Sequence, residues 1–396
     1  MAARTHPKRE MFFHSLTSRY FLTTVILTII AASSYLYFHS KAEKTILLFR
    51  EHSVKHAANL NRVQDEVTKL YPWLIRPNCL PNYFTRTTNQ AVGEHWPLDE
   101  TYRYANCTIV FLHILKSGGT TTKMCFVESM HEVGRKKPKL IYAQNAAQLF
   151  ISYLNGREEY VRSTYMGDHT FSICDFISGP CAYFTVIRDP LERVISSYNF
   201  CRTSDQTQCV MRNISQMTLN DWAVHQGSFF FRQLLANPEF FTDKYSDEIV
   251  DKLRGQGDPP SKLIAPWWRN KLILDHLMDD HQKEMVLAFV LDNLEKWFAV
   301  IGLTSEYDTS FHLFQQVFKL PFYTLCAGRQ KNQKQYHYED ERQDFKMTKD
   351  EIVGSLKTKL SSDPDVMRAL YFDIQIYKKA KDIFRKQALA LSEEQL

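Results

Sequence analysis

Two short stretches of this chain carry residues of the right type and spacing to hold phosphate-like anions. The first is Lys116-Ser117-Gly118-Gly119-Thr120-Thr121-Thr122. It follows residues 108–114, a mostly apolar, β-branched run that reads as a buried strand. It precedes a helical pattern with Thr120 or Thr121 near the N-cap. Glycines let the backbone approach an anion closely, and the free N–H groups at a helix start face it. Lys116 and the hydroxyls of Ser117, Thr120, Thr121 and Thr122 add donors. The lysine precedes the glycines, so this is not the nucleoside-triphosphatase loop G-x-x-x-x-G-K-[ST]. The plain alternative is an ordinary tight turn. The second stretch is Arg188-Asp189-Pro190, at the end of a strand-like run over 182–187. A helical pattern follows over 191–198, and Ser196 falls two turns along it. Pro190 suits a first helical turn, and Arg188 can fork onto a phosphate. Alone, this stretch would be a structural Arg–Asp turn.

Taken as a pair, the stretches resemble the two phosphate-binding motifs of sulfotransferases that use 3′-phosphoadenosine 5′-phosphosulfate (PAPS). The resemblance implies that Lys116 to Thr122 hold the 5′-phosphosulfate, and that Arg188 and Ser196 hold the 3′-phosphate. Three further segments are similar to Golgi heparan sulfate 2-O- and 6-O-sulfotransferases. They are Gly302-Leu303-Thr304-Ser305-Glu306 with its flanks over 292–298 and an amphipathic helix over 309–320, and the tail over 371–384. The likeness covers roughly residues 105–385, in patches. Within it, Tyr165-Met166-Gly167-Asp168-His169 resembles the Gly-His segment that supplies the 2-O-sulfotransferase base, with Asp168 inserted before the histidine. That implies His169 as general base, against a purely structural histidine turn. Rivals for the role are His113 on the first strand and Glu128 or His131 on the following helix. A basic loop, 327–334, matches the place where the wider family closes over the 3′-phosphate and adenine, which implies Arg329 and Lys331 as further nucleotide contacts. The implied reaction is transfer of a sulfuryl group from PAPS to a hydroxyl of an acidic glycan, a glycosaminoglycan by analogy, with no metal.

These residues need a rigid frame. Strands over 108–114, 140–143, 182–187, 285–291 and 298–303 alternate with helices, including one over 145–154. That argues an α/β fold, a P-loop-like mostly parallel sheet flanked by helices. Residues 201–285 read as mixed helix and loop. There Trp267 and Trp268, beside Lys262, Arg269 and Lys271, could stack on a sugar or simply pack in a core. The basic run Arg135-Lys136-Lys137-Pro138-Lys139 could meet a polyanion or be a solvated loop.

Residues 1–19 carry Arg4, Lys8, Arg9 and Arg19 ahead of an uncharged span over 20–38, long enough to cross a bilayer. The positive-inside rule gives a cytoplasmic tail (1–19), a transmembrane signal-anchor (20–38), a stem or linker (39–100) and a lumenal sulfotransferase domain (101–390). The competing reading is a signal peptide cleaved near Ala31-Ala32-Ser33. In the stem, Leu60, Val63, Val67 and Leu70 could seam a short coiled coil, and so a homo-oligomer, or pack on their own domain. Eight cysteines lie beyond the span, where an oxidising lumen permits disulfides. Proximity suggests Cys174–Cys181 and Cys201–Cys209, and no C-x-x-C pair argues for zinc. Sequons at Asn106 and Asn213 fit a lumenal surface, Asn213 better. Hydrophobic content of 44% suffices for a core. The net charge of +5 does not suggest a nucleic-acid binder and suits a polyanionic substrate. Two other classes remain: a nucleotide-binding kinase-like protein, which lacks its lysine after the glycines, and a catalytically silent membrane glycoprotein of the same fold.

This topology has a direct test. Glycosidase treatment of the expressed protein should raise its gel mobility, and the C-terminus should resist protease added to sealed microsomes. A C-terminus digested from the cytosolic side would rule the arrangement out.

Overall fold

A computed structural model describes residues 62–71, 74, 79–84, 103–141, 164–177, 179–202, 204, 209, 214–235, 266–328 and 349–393. The chain divides into two compact units, Met1–Asp65 and Glu66–Leu396, and the fold below is that of the second. The span over 20–38, the helix expected over 145–154, Asn213, Arg329, Lys331 and the side chains of Trp267 and Trp268 lie outside the described residues. Among the described residues no helix is long and apolar enough to cross a membrane.

Five parallel strands form one sheet in the order β2-β3-β1-β4-β5. They are β1 (Thr108–Leu112), β2 (Lys139–Leu140), β3 (Tyr165–Gly167), β4 (Cys181–Ile187) and β5 (Phe298–Leu303). Every residue of β1, β4 and β5 is buried. Helices cover both faces of such a sheet, so these strands read as unbroken apolar runs rather than alternating ones. From β1 the chain first builds one side, β2 and β3, then crosses to build the other, β4 and β5. The switch point therefore falls between β1 and β4, where a crevice opens beyond the carboxyl ends of the strands.

The helices are α1 (Gly119–Glu132), α2 (Pro190–Arg202), α3 (Leu219–Gln226), α4 (Phe229–Leu235), α5 (Pro266–Leu277), α6 (Asp280–Trp297), α7 (Tyr307–Phe318), α8 (Phe322–Cys326), α9 (Lys349–Ser361), α10 (Pro364–Ala369) and α11 (Tyr371–Glu393). The expected strand over 285–291 is instead the middle of α6. A capping box starts that helix: Asp279 accepts from the Gln282 amide, and Gln282 accepts from the Asp279 amide. Its buried residues, Val286, Leu287, Phe289, Val290, Asn293, Leu294 and Trp297, recur at helical spacing. A short apolar run alone cannot distinguish a buried strand from a buried helix. The strand expected next, over 298–303, is β5.

Rings fill the space between β4 and the helices. Phe184 packs on Phe111, Phe126, Phe314, Phe318 and Phe322, with ring centroids 4.9–5.8 Å apart. β5 is the edge strand, and Gln387 of α11 substitutes for a missing neighbour. Its side chain accepts from the Ile301 amide at 3.0 Å and donates to the Ile301 carbonyl at 2.7 Å. Those backbone groups would otherwise be buried without partners. Residues 79–84, counted with the stem by sequence, run along the sheet's amino end, where the Leu80 amide donates to the Cys181 carbonyl at 2.8 Å. Val67 is fully buried while Leu70 is half exposed, so these two positions do not share one apolar seam.

Both disulfides expected from proximity form, Cys174–Cys181 and Cys201–Cys209. A third joins Cys125 of α1 to Cys326 of α8, 201 residues apart, and nothing in the spacing announces it. A link across so long a loop restricts the unfolded chain strongly, by about 5 kcal/mol in the chain-entropy picture. Cys125→Ser and Cys326→Ser should each lower the denaturation midpoint, and the double variant should fall no further than either single. A double variant much weaker than both singles would show that the two sulfurs act separately.

Candidate functional site

The carboxyl end of β1 leads into a loop with two left-handed residues, Lys116 (φ 66°) and Gly118 (φ 72°). Lys116 pays roughly 1–2 kcal/mol for that conformation, a cost glycine avoids. Gly118, not Thr120 or Thr121, is the N-cap of α1, and no side chain caps the helix. The first-turn amides thus lack the side-chain acceptor that usually satisfies them. Neither glycine tolerates a side chain. A Cβ on Gly118 would fall on the Tyr307 hydroxyl, and one on Gly119 would fall within the His113 ring. Ser117 Oγ is buried and has no hydrogen-bond partner among the described residues, while the buried Tyr307 hydroxyl lies close to Thr122. Burial pushes the Tyr307 phenol up to about 12, against the nearby Thr122 hydroxyl and Arg188, so its proton stays on. Thr121 is buried and Thr120 exposed, while the buried Thr122 hydroxyl donates back to the Gly118 carbonyl at 3.4 Å. Glycine-bounded backbone, an uncapped helix start and a buried serine hydroxyl suit a tetrahedral oxyanion.

Arg188 follows β4 directly. Its Nη1 donates to the Lys116 carbonyl at 3.4 Å, so the two sequence motifs meet. Its Nε pairs with Glu192 at 3.4 Å. Asp189 caps α2, accepting from the Leu191 and Glu192 amides at 3.0 and 3.1 Å. Lys357 of α9 holds both carboxylates, Asp189 at 3.3 Å and Glu192 at 3.0 Å. Ser196 is half-buried on α2. The Lys116 ammonium lies over the Phe200 ring, 3.9 Å from its centroid. Beside it is a small pocket, with room for about one water molecule, lined by Leu115, Lys116, Arg193, Ser197, Gln226 and Phe229, among others.

On the other side of β1, the Asp168-His169 turn follows β3. The two turns are tied together: the His113 amide donates to the Gly167 carbonyl at 2.8 Å. Gln233 Nε2, on α4, donates to the His113 carbonyl at 3.0 Å and to the Asp168 carbonyl at 2.6 Å. Though adjacent in sequence, Asp168 and His169 face each other, with Oδ1 and Nδ1 3.2 Å apart. Burial pushes the Asp168 carboxyl up, but the close approach of His169, aided by His113, holds it below the usual range. His113 is pushed down to about 4, first by burial and then by Lys123 and Lys116, against the pull of Asp168. It is therefore neutral near pH 6. Glu128 and His131 stand about 14 and 18 Å along α1 from Gly119, too far to act at its N-terminus.

Sequence reasoning did not single out Tyr307, Glu192, Lys357, Gln233 or Lys123. Tyr307 directly follows Gly302–Glu306, and Glu192 lies four residues from Arg188, so each carried a local signal. Gln233 and Lys357 carried none, since only the fold brings them in.

A family model described as the sulfotransferase family matches residues 100–384, which include the whole sheet, the Lys116 loop and the Arg188 turn. No curated protein matches the chain.

The glycine pair yields a sharp expectation. Gly119→Ala must displace the His113 ring, and should weaken binding of 3′-phosphoadenosine 5′-phosphate at least about tenfold by calorimetry. Gly354→Ala, in α9 with open space around it, should bind normally and be neutral or up to about 1 kcal/mol more stable. Unchanged affinity in Gly119→Ala would refute this account of the loop.

Proposed function

We propose, starting from the fact that the chain belongs to the sulfotransferase family, that it sulfates a hydroxyl of an acidic glycan with PAPS as donor. The observation that carries this reading is the contact of Arg188 with the Lys116 carbonyl, which sets two anion-binding turns on one crevice. PAPS, when bound, supplies an activated sulfuryl group. The loop Ser117 to Thr122 would hold its 5′-phosphosulfate through backbone amides and hydroxyls, and Arg188 with Ser196 its 3′-phosphate. Arg188 would exchange its Glu192 contact for the phosphate, and Glu192 keeps Lys357 as a partner. Arg329 and Lys331 would add nucleotide contacts from the following loop.

Lys116 would leave Phe200 and neutralise charge on the leaving oxygen as the sulfur–oxygen bond breaks. His169 would act as the base. Its ring, with Nδ1 3.2 Å from the Asp168 carboxylate, would take the proton of the attacking sugar hydroxyl. The transfer is an in-line displacement governed by positioning and charge, as in phosphoryl transfer. We place the enzyme in the Golgi membrane as a single-pass type II protein, anchored by residues 20–38 with the body lumenal. Exposed Lys136, Lys137 and Lys139 offer a polyanion a distal contact, about 20 Å from the cradle at the far end of α1.

Calorimetry and radiolabelled transfer to a panel of glycosaminoglycans test this together. Wild-type protein should prefer 3′-phosphoadenosine 5′-phosphate over AMP. Arg188→Ala should cost roughly 1.5–3 kcal/mol of that affinity. Lys116→Ala should lower turnover more than binding. His169→Ala should lower turnover by about 10²–10⁴-fold with binding nearly intact. No preference for the 3′-phosphorylated nucleotide, or transfer only to neutral lipids or phenols, would overturn the reading.

A further inference from the structure

One charged group beside this site is used by neither the fold nor the mechanism. Lys123 stands on α1 four residues after Gly119, and so on the same helix face. The His113 ring covers that face at Gly119. Lys123 is half-buried and, among the described residues, makes no ion pair or hydrogen bond. It stands close to His113 and Asp168: the charges of Lys123, Lys116 and Asp168 act on His113, and that of Asp168 acts on Lys123. Burial lowers the Lys123 pKa, against the pull of Asp168. The other cations around the crevice are occupied. Arg188 has Glu192, Lys357 has Asp189 and Glu192, and Lys116 lies over Phe200. Among the described residues Asp168 is the one carboxylate acting on Lys123, and it pairs with His169. Lys123 is thus a surplus cation, partly removed from water, which is costly without a counter-charge.

We propose that Lys123 is the specificity-determining residue that receives an anionic substituent of the acceptor sugar, a carboxylate or a sulfate ester, next to the hydroxyl that reacts. This rests on the function proposed above. The side of the crevice decides between acceptor and donor. The nucleotide's phosphates are assigned to the loop at the start of α1 and to Arg188 and Ser196 on the β4 side. Lys123 lies with His113, Asp168 and His169 on the β3 side, one turn down the helix. An anion that reaches it arrives with the hydroxyl whose proton His169 takes. Its position relative to His169 then selects acceptors in which acid and hydroxyl are close neighbours, something a distant basic patch cannot do.

The test compares full-length wild-type, Lys123→Met and Lys123→Arg proteins. The acceptors are heparan sulfate, its carboxyl-reduced form and its desulfated form, with calorimetry of 3′-phosphoadenosine 5′-phosphate alongside. Lys123→Met keeps the side chain's length and removes its charge. It should lower kcat/KM on intact polymer about tenfold or more, mainly through KM. It should also erase the preference over whichever derivative lacks the recognised anion, which tells carboxylate from sulfate. Nucleotide affinity should stay at the wild-type value, and Lys123→Arg should retain most of the preference. An equal loss on all three polymers, a parallel loss of nucleotide affinity, or no change on any polymer would overturn the role of Lys123. Wild-type protein that binds the nucleotide but sulfates none of the three polymers would instead overturn the proposed function and, with it, this inference.

Discussion

Parallel pairing of β1 with β4, Thr108 to Leu112 against Cys181 to Thr185, decides where the Lys116 loop and the Arg188 turn lie. Parallel strands finish on the same edge of the sheet. Antiparallel pairing of five-residue strands would separate the Lys116 loop from Arg188 by about 17 Å. Buried contacts fix the register. The Thr185 hydroxyl donates to the Leu112 carbonyl at 2.8 Å, at the last paired position before the loop. Phe111 stacks on Phe184 across the pair, centroids 4.9 Å apart. A slip of one residue would turn every side chain of these strands to the opposite face. The 3.4 Å contact between Arg188 and the Lys116 carbonyl is thus a consequence of strand register.

A second frame holds the His169 side of the crevice. Asp373 of α11 accepts from the Phe230 and Phe231 amides at the start of α4 at 3.1 and 2.8 Å. Arg193 of α2 faces the same carboxylate at 3.9 Å, both side chains being 3% exposed. Burial raises the Asp373 pKa and lowers that of Arg193, each opposed by the other's charge. Such a pair adds little net stability, but it leaves each partner intolerant of losing the other. Its effect here is positional. It fixes α4, and α4 carries Gln233, whose side chain ties the His113 and Asp168 carbonyls together. The distance between the Lys116 loop and the His169 turn is therefore set from α2 and α11, through one amide group. Thr170 adds a second tie, donating to the Phe111 carbonyl at 3.1 Å.

The charges divide along β1. On the β4 side, Arg188, Glu192, Asp189 and Lys357 form a chain of alternating sign. The phosphate proposed to bind Arg188 would join that chain without leaving a carboxylate stranded, because Lys357 keeps Glu192 paired. On the β3 side, His113 is held neutral and Asp168 charged. A neutral imidazole beside two lysines spares the crevice a third positive charge and leaves room for an anion.

Local chemistry in the sequence determined the glycine turn after β1, the buried strands β1, β4 and β5, and the first turn of α2. Glycine conformations, β-branched runs and Pro190 act within a few residues, so their outcome is legible without the fold. The same locality explains the short disulfides Cys174–Cys181 and Cys201–Cys209. Where two structures satisfy one pattern, locality fails. Residues 285–291 are apolar enough for a strand, and the capping box at Asp279 with burial along one face made them helix. Only the tertiary structure could decide that Cys125 meets Cys326, that Tyr307 closes over Gly118, and that Gln233 spans two turns. It alone left Lys123 partly buried beside His113 and Asp168. Each of these depends on chain segments far apart in sequence reaching the same few ångströms, and that is set by sheet order and helix packing.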